Sequence, residues 1–132
     1  WKGGARVPGH AAMRGWQTLR AMTREIYAFF NTADVFVTPV LSTPVPRIGY
    51  IDPVRMEPRE VDHRQAETFG FTPPFNMTNQ PSLSLPLGQD KDGLPIGIMF
   101  TGRWGDEATL YRLAAQIEEA HPWIGRKPKI WN

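Results

Sequence analysis

Thirteen prolines in 132 residues, seven of them between residues 39 and 74, limit what this sequence can fold into. Proline has no backbone N–H and fixes φ, so it interrupts helices and central strands alike. Long regular elements must therefore lie on either side of this segment. A loop of this length is typical of a segment that covers a site or another part of the molecule. Within it we expect at most one or two helical turns, over residues 60–69.

The segment before the prolines predicts a helix followed by a strand. Apolar residues recur at three- and four-residue steps over residues 12–30, which indicates an amphipathic helix. Residues 34–38 are mainly β-branched or aromatic, and Pro39 follows them, so they predict a short strand. Because Val35, Phe36 and Val37 are continuous rather than alternating, we expect that strand to be buried on both faces.

The segment after the prolines predicts a hairpin and a final helix. Apolar residues alternate over residues 82–87 and again over 96–100, and a turn rich in Gly and Asp separates them. This is the pattern of two antiparallel strands with one apolar face. Pro86 and Pro95 indicate strand ends at an edge, and Gly97 indicates a close approach to the backbone. Asp106 predicts the N-cap of a helix that ends near Ala120.

Composition excludes several classes of protein. The chain has no cysteine, which excludes a disulfide scaffold and a thiolate metal site. The net charge is only +2, and the basic helix face of Arg14, Arg20 and Arg24 is more typical of a solvated surface than of a nucleic-acid site. No apolar run is long enough for a membrane span or a signal peptide, so we expect a cytoplasmic protein. The first residue is Trp1, which indicates a piece of something longer.

Few side chains could carry catalysis or bind a metal. No serine lies in a Gly-x-Ser-x-Gly turn, and the histidines lie in unrelated segments; these residues are Ser42, Ser82, Ser84, His10, His63 and His121. Folding could assemble a triad, but we interpret the histidines as surface residues. His63 and Glu67 would share a helix face, yet a zinc site usually needs three or four ligands. We expect no metal and no cofactor.

Several motifs together resemble the C-terminal portion of the amidase signature family. Residues 75–88 (FNMTNQPSLSLPLG) resemble a turn with Asn and Thr, followed by an apolar strand that ends in Pro-x-Gly. Residues 93–100 (GLPIGIMF) are similar to the family's Gly-Leu-Pro-apolar-Gly strand, and residues 34–39 to its Asp-strand-Thr-Pro segment. The resemblance covers most of residues 13–123 in order. It is nearest in character to bacterial amidases similar to the hydrolases of cyclic aminohexanoate dimers.

The resemblance implies an α/β fold, a fragment of the amidase signature α/β/α fold in which residues 1–132 form one C-terminal lobe. We expect a short mixed sheet that includes an antiparallel hairpin and is covered by two helices. The resemblance also implies hydrolysis of a carboxamide C–N bond through an acyl-enzyme, with a Ser nucleophile, a second Ser in a cis peptide and a Lys base. In the family these groups lie upstream, so we expect no catalytic residue in this chain.

The resemblance also implies a wall of the substrate funnel at two places. One is Thr38 with the Pro-rich stretch after it. The other is the loop over residues 75–80, whose candidate residues are Phe75, Asn76, Met77, Asn79 and Gln80. Asn79 stands where the family usually has Gly. If that position has a positive φ, Asn is the next best tolerated residue.

Two other interpretations stay open. A non-enzymatic α/β binding or oligomerisation module would have a start codon just before Trp1, whereas an amidase would have a Gly-Ser-rich segment upstream. The amidase subunit of a tRNA-dependent amidotransferase would have a neighbouring partner subunit. As an amidase, the protein would take a small-molecule amide, with no nucleic acid or membrane as partner. The lobe would pair with the missing N-terminal part, and its exposed strand edges predict self-association.

Overall fold

The computed structural model describes residues 4–127, which divide into two compact units after Asp34. The first unit contains a short 3₁₀ turn over Gly4–Arg6 and helix α1 over Gly9–Phe29. The helix predicted over 12–30 is confirmed and begins three residues earlier. Pro8 precedes it in an extended conformation, and the Pro8 carbonyl accepts hydrogen bonds from the N–H groups of Ala11 and Ala12. This is where a proline is compatible with a helix, because its missing N–H is not needed there.

The second unit contains three strands and three helices. These are β1 (Phe36–Pro39), α2 (Pro58–Thr68), α3 (Pro73–Thr78), β2 (Ser82–Gln89), β3 (Pro95–Thr101) and α4 (Glu107–Ala120). The α/β fold class, the hairpin of β2 and β3 and the final helix are confirmed. Asp106 caps α4 as predicted, since its carboxylate accepts a bond from the Thr109 N–H at 3.3 Å. Within residues 4–127, no helix combines the length and apolar character that crossing a membrane requires.

The three described strands form a wholly antiparallel sheet in the order β1-β3-β2. The prediction of a mixed sheet is therefore wrong for this part of the chain. Strands β1 and β2 do run in the same direction, but β3 lies between them and runs opposite to both. No parallel pair results. Of the two helices predicted to cover the sheet, α4 does so by packing against β2, and α1 belongs to the other unit.

The prediction that β1 is buried on both faces is also wrong. Val37 is 54% exposed, whereas Thr38 is buried. The reason is the position of β1 in the sheet: it lies at one edge, while α4 packs at the opposite edge, against β2. A continuous apolar run therefore does not distinguish a fully covered strand from a strand whose cover lies elsewhere.

Pro86 and Pro95 were predicted to mark strand ends at a sheet edge, and each meets half of that expectation. Pro86 lies in an edge strand but inside it, and Pro95 lies at a strand end but in the central strand β3. Pro86 lies in β2, an edge strand, within a break of register between Leu85 and Gly88. A proline can occupy such a position because the bulge leaves its missing N–H without consequence. Pro95 is the first residue of β3, a position where the strand does not require a backbone N–H donor. Gly97 is also explained, because a Cβ there would lie 2.9 Å from Ser84 Oγ and 3.0 Å from Val40 Cγ2.

The apolar core lies between the sheet and α4. Leu85 and Phe100 project from one face of the sheet and meet Leu110 of α4. Around them pack half-buried apolar residues, among them Leu83, Leu87, Ile98, Leu113, Ala114, Ile117 and Trp123. Leu110 also lies against Gly102 at the end of β3, where an added Cβ would come within 3.2 Å of Leu110 Cγ. This close approach brings the helix onto the strand end without a gap.

Helix α3 corrects another expectation, because residues 75–80 were predicted as a loop. Two prolines occupy its first positions, where a helix has no use for their N–H groups. The helix ends at Asn79, whose backbone lies in the left-handed region with φ 56° and ψ 35°. Asn79 is the one residue other than glycine with positive φ within residues 4–127. The conditional prediction that Asn would be tolerated at a left-handed position is confirmed.

We predict that Leu110→Ala lowers the free energy of unfolding by about 2–5 kcal/mol, because it leaves a cavity between the helix and the sheet. Tyr111→Ala is the matched control, since Tyr111 is the next residue of the same helix and is 73% exposed. That control should change stability by no more than about 0.5 kcal/mol. Urea denaturation of both variants measures the difference, and equal losses would contradict the placement of the core.

We predict that Asn79→Gly is nearly neutral and that Asn79→Ala costs about 1 kcal/mol, because alanine is strained at positive φ and glycine is not. Asn76→Ala is the control, since Asn76 is an exposed residue of the same helix with ordinary helical geometry. Thermal unfolding of the three variants is the measurement. If Asn79→Ala proved as stable as Asn79→Gly, the left-handed end of α3 would be wrong.

Candidate functional site

The face of the sheet opposite α4 carries hydroxyl groups. Alternation along each strand places side chains two residues apart on the same face. The register pairs Thr38 of β1 with Met99 of β3, and Met99 with Ser84 of β2. Two residues along each strand, Phe36, Thr101 and Ser82 form a second row in the same way. We call the resulting surface the hydroxyl face; its residues are Phe36, Thr38, Ser82, Ser84, Met99 and Thr101.

Helix α3 is fixed against the hydroxyl face by an aromatic contact. The rings of Phe36 and Phe75 lie 5.5 Å apart, centroid to centroid, with an interplanar angle of 54°. A tilted pair at this distance is a favourable arrangement for two aromatic rings. Because Phe36 shares its strand face with Thr38, the contact brings the two predicted wall segments onto one face of the sheet.

A buried amide network joins the end of α3 to the end of β3. Gln80 Nε2 donates to the carbonyl of Gly102 at 3.1 Å, and Gln80 Oε1 accepts from Thr78 Oγ1 at 2.8 Å. The backbone closes the same region, since the Gly102 N–H donates to the Pro81 carbonyl at 3.0 Å. Both Thr78 and Gln80 are buried. Their polar groups are satisfied within the protein, so the role of Gln80 in this chain is to hold the turn in place.

The wall candidates therefore fall into two groups. Phe75 and Gln80 are buried and engaged with the sheet, so they support the site from within. Asn76, Met77 and Asn79 are exposed on α3 and at its end. Only these three present atoms that an external molecule could touch.

Thr38 is a separate case. The residue is buried, and its hydroxyl has no hydrogen-bond partner among the described residues. The same is true of Thr68 at the end of α2. A buried hydroxyl without a partner is uncommon and costs about 1–3 kcal/mol. Thr38 Oγ1 is thus an unpartnered polar atom that the described residues enclose, and an external molecule does not reach it in this arrangement.

An apolar pocket of about 200 Å³ lies beside the start of β3. Its lining comes from the first residues of the Pro-rich stretch and from the hairpin: Leu41, Thr43, Pro44, Val45, Asp90, Pro95, Ile96 and Gly97. Asp90 is already occupied, since its carboxylate accepts bonds from the N–H groups of Asp92 and Leu94. The sequence did not predict this pocket. Gly97 was its one signal, because a larger residue there would meet Val40 and Ser84.

We keep the name Pro-rich stretch for residues 40–57, between β1 and α2. This stretch is fastened to α2 through Tyr50. The Tyr50 hydroxyl donates to Glu67 Oε2 at 3.0 Å, and Arg64 Nη1 donates to the Tyr50 carbonyl at 2.6 Å. The Arg64 guanidinium also lies 4.7 Å from the centre of the Tyr50 ring, and its Nη2 donates to Glu60 Oε1. We call these four residues the Tyr50 latch. The bond to Glu67 raises the pKa of Tyr50 above its ordinary value, because it stabilises the protonated phenol.

Helix α2 contains the predicted helical turns, and it also carries Glu67, which the sequence paired with His63 on one helix face. Residues 60–69 were expected to hold one or two turns, and α2 covers Pro58–Thr68. Glu67 faces Tyr50 and accepts its hydroxyl. Within residues 4–127, no group of three His, Asp or Glu side chains is placed to hold a metal ion.

The serines have structural partners. The Ser42 hydroxyl accepts a bond from the Gly70 N–H at 3.0 Å, and Ser82 Oγ lies 2.7 Å from Thr101 Oγ1. Ser84 lies over Gly97. Within residues 4–127, none of these three serines has a lysine or histidine as hydrogen-bond partner.

The chain is similar to known proteins. The family model described as Amidase matches residues 7–111. The protein designated amidase AmiC in Mycobacterium leprae is 42% identical over 114 residues, which cover 86% of this chain and 24% of that protein. The solved structure of 6-aminohexanoate cyclic dimer hydrolase is similar with a TM-score of 0.86 at 30% identity, over 97% of this chain and 28% of that one.

A more distant likeness is to a solved glutamyl-tRNA(Gln) amidotransferase subunit from Thermotoga maritima. Its TM-score is 0.59 at 25% identity, over 92% of this chain and 30% of that one. The chain thus spans about a quarter of the length of the proteins it matches. Since the family model covers more than half of the chain and the described fold is shared with solved members, this chain belongs to the amidase family.

Proposed function

We propose that this chain is the C-terminal lobe of an amidase that hydrolyses a carboxamide C–N bond. The observation that carries the proposal is the likeness of nearly the whole chain to about a quarter of a cyclic amide hydrolase. The remaining part of such a protein would contribute the Ser nucleophile, the second Ser and the Lys base. The lobe would contribute strands, a covering helix and one wall of the substrate funnel.

The wall proposal is supported by groups that suit an amide. The exposed carboxamides of Asn76 and Asn79 can each donate to a carbonyl and accept from an N–H. The apolar pocket has a size and lining suited to an aliphatic chain. A substrate with an amide joined to aliphatic carbons would match both kinds of surface.

Two alternatives are tested by simple observations. An amidotransferase subunit would copurify with a partner subunit, whereas a free-standing amidase would not. A non-enzymatic module would lack the upstream Gly-Ser-rich segment. The greater structural likeness to the cyclic dimer hydrolase than to the amidotransferase subunit supports the free-standing amidase.

We predict that the full-length protein hydrolyses simple aliphatic amides and that the 132-residue chain alone does not. In the full-length protein, Met77→Ala should raise KM about three- to tenfold, because Met77 would lose apolar contact with the substrate. Tyr111→Ala, on the exposed side of α4, is the control and should leave KM unchanged. Release of ammonia or amine is the measurement. Turnover by the chain alone would contradict the proposal.

We also propose that the isolated lobe self-associates through β1, because β1 is an edge strand in the described sheet and Val37 is exposed on it. Val37→Lys should weaken association by placing a charge on this strand. Val45→Lys is the control, since Val45 is similarly exposed but lies off the sheet. Sedimentation over a range of concentrations is the measurement, and a strictly monomeric wild-type chain would exclude the association.

A further inference from the structure

The Pro-rich stretch is held at two levels. At its base, the Ser42 N–H donates to the Thr68 carbonyl at 2.9 Å, and the Gly70 N–H donates to Ser42 Oγ. Farther along, the Tyr50 latch joins it to the middle of α2. The Val40 N–H also donates to the Gly97 carbonyl of β3 at 2.9 Å, at the start of the stretch. From Thr43 onward its other hydrogen bonds are local turns, such as those that Asp52 accepts from Val54 and Arg55. Its position over α2 therefore depends on the latch.

The latch is built by one face of α2. Glu60, Arg64 and Glu67 follow each other at four- and three-residue spacing, which places them on the same side of the helix. Arg64 binds the backbone of Tyr50 with one nitrogen, faces its ring, and is itself oriented by Glu60. Glu67 accepts a hydrogen bond from the hydroxyl at the end of the Tyr50 side chain. Three contacts on this single loop residue fix both its backbone and its ring.

The part of the stretch next to the latch exposes apolar side chains. Ile48 is fully exposed and Val54 is 89% exposed, and they lie two residues before and four residues after Tyr50. The first residues of the stretch line the apolar pocket. Holding Tyr50 thus also holds Ile48 and Val54 on either side of it, while the bonds of Ser42 hold the residues that line the pocket.

We propose that Arg64 is a positioning residue of the amidase: through Tyr50 it holds the Pro-rich stretch where an aliphatic part of the substrate binds. This rests on the proposed function, because it takes the stretch as part of the substrate wall. Arg64 does not touch the substrate. Its loss would loosen the wall and weaken substrate binding, while the chemical step would be unaffected.

The first test measures the stretch directly in the full-length protein. Native trypsin cleavage after Arg47 and Arg55 reports its mobility, and cleavage after Arg112 in α4 is the internal reference for global unfolding. Arg64→Met removes the latch but retains much of the side-chain volume, and should raise cleavage in the stretch about three- to tenfold. Arg59→Met is the matched control, since Arg59 is an exposed arginine of the same helix.

Two further variants separate the contacts of the latch. Tyr50→Phe removes only the bond to Glu67 and should give an intermediate cleavage rate. Glu67→Gln keeps an oxygen that can accept from Tyr50, and should remain close to wild type. If Arg64→Met and Arg59→Met were cleaved equally in the stretch, the latch would be overturned.

The second test measures amide hydrolysis by the same variants. Arg64→Met should raise KM about three- to tenfold with kcat unchanged, and Glu67→Gln should retain the wild-type KM. A looser stretch with unchanged KM would overturn the positioning role. An inactive wild-type protein would overturn the proposed function, while the cleavage comparison would still decide whether the latch exists.

Discussion

The side-chain amide of Gln80 is the interaction on which the second unit depends. Its oxygen accepts a hydrogen bond from the Thr78 hydroxyl, and its nitrogen donates one to the Gly102 carbonyl. Both Gln80 and Thr78 are buried. The end of α3, the start of β2 and the end of β3 are thereby joined at one point. Buried polar groups are costly unless all their bonds are made, so this joint favours one arrangement of the three elements. The position of α3 on the sheet follows from it.

This joint allows the two faces of a small sheet to serve different purposes. The aliphatic face is closed by α4, with Leu85, Phe100 and Leu110 at its centre, and supplies most of the apolar burial. The hydroxyl face carries fewer apolar groups and is met by the Phe75 ring. It also carries the hydroxyl groups of Thr38, Ser82, Ser84 and Thr101. The two sides of the same strands therefore differ in chemistry, one aliphatic and one with hydroxyl groups.

The sequence predicted the elements that periodicity defines. The long helix, the hairpin and α4 were correct because their apolar residues repeat at the spacing of the structure they form. The turn at Asn79 was correctly anticipated on condition of a positive φ. The family was recognised from several short motifs in order, and the match over residues 7–111 confirms it. What these elements have in common is that neighbours in sequence determine them.

The features that the sequence could not predict depend on distant residues. Helix α3 covers residues for which the resemblance implied a loop, and its two prolines fit its first turn. Tyr50 meets Arg64 and Glu67 across 14 and 17 positions, and no local pattern indicates such a pairing. The exposure of Val37 depends on which strand lies beside β1, and the antiparallel sheet depends on β3 lying between β1 and β2. The candidate wall separated into buried and exposed residues only once α3 was placed.

The bulge at Pro86 has a consequence for how this sheet can grow. A break of register and a missing donor make the outer edge of β2 a poor template for another strand, whereas β1 has a regular register with β3. Extension of the sheet is therefore directional. A further strand, whether from the same protein or from a second copy, would add beside β1 rather than beside β2.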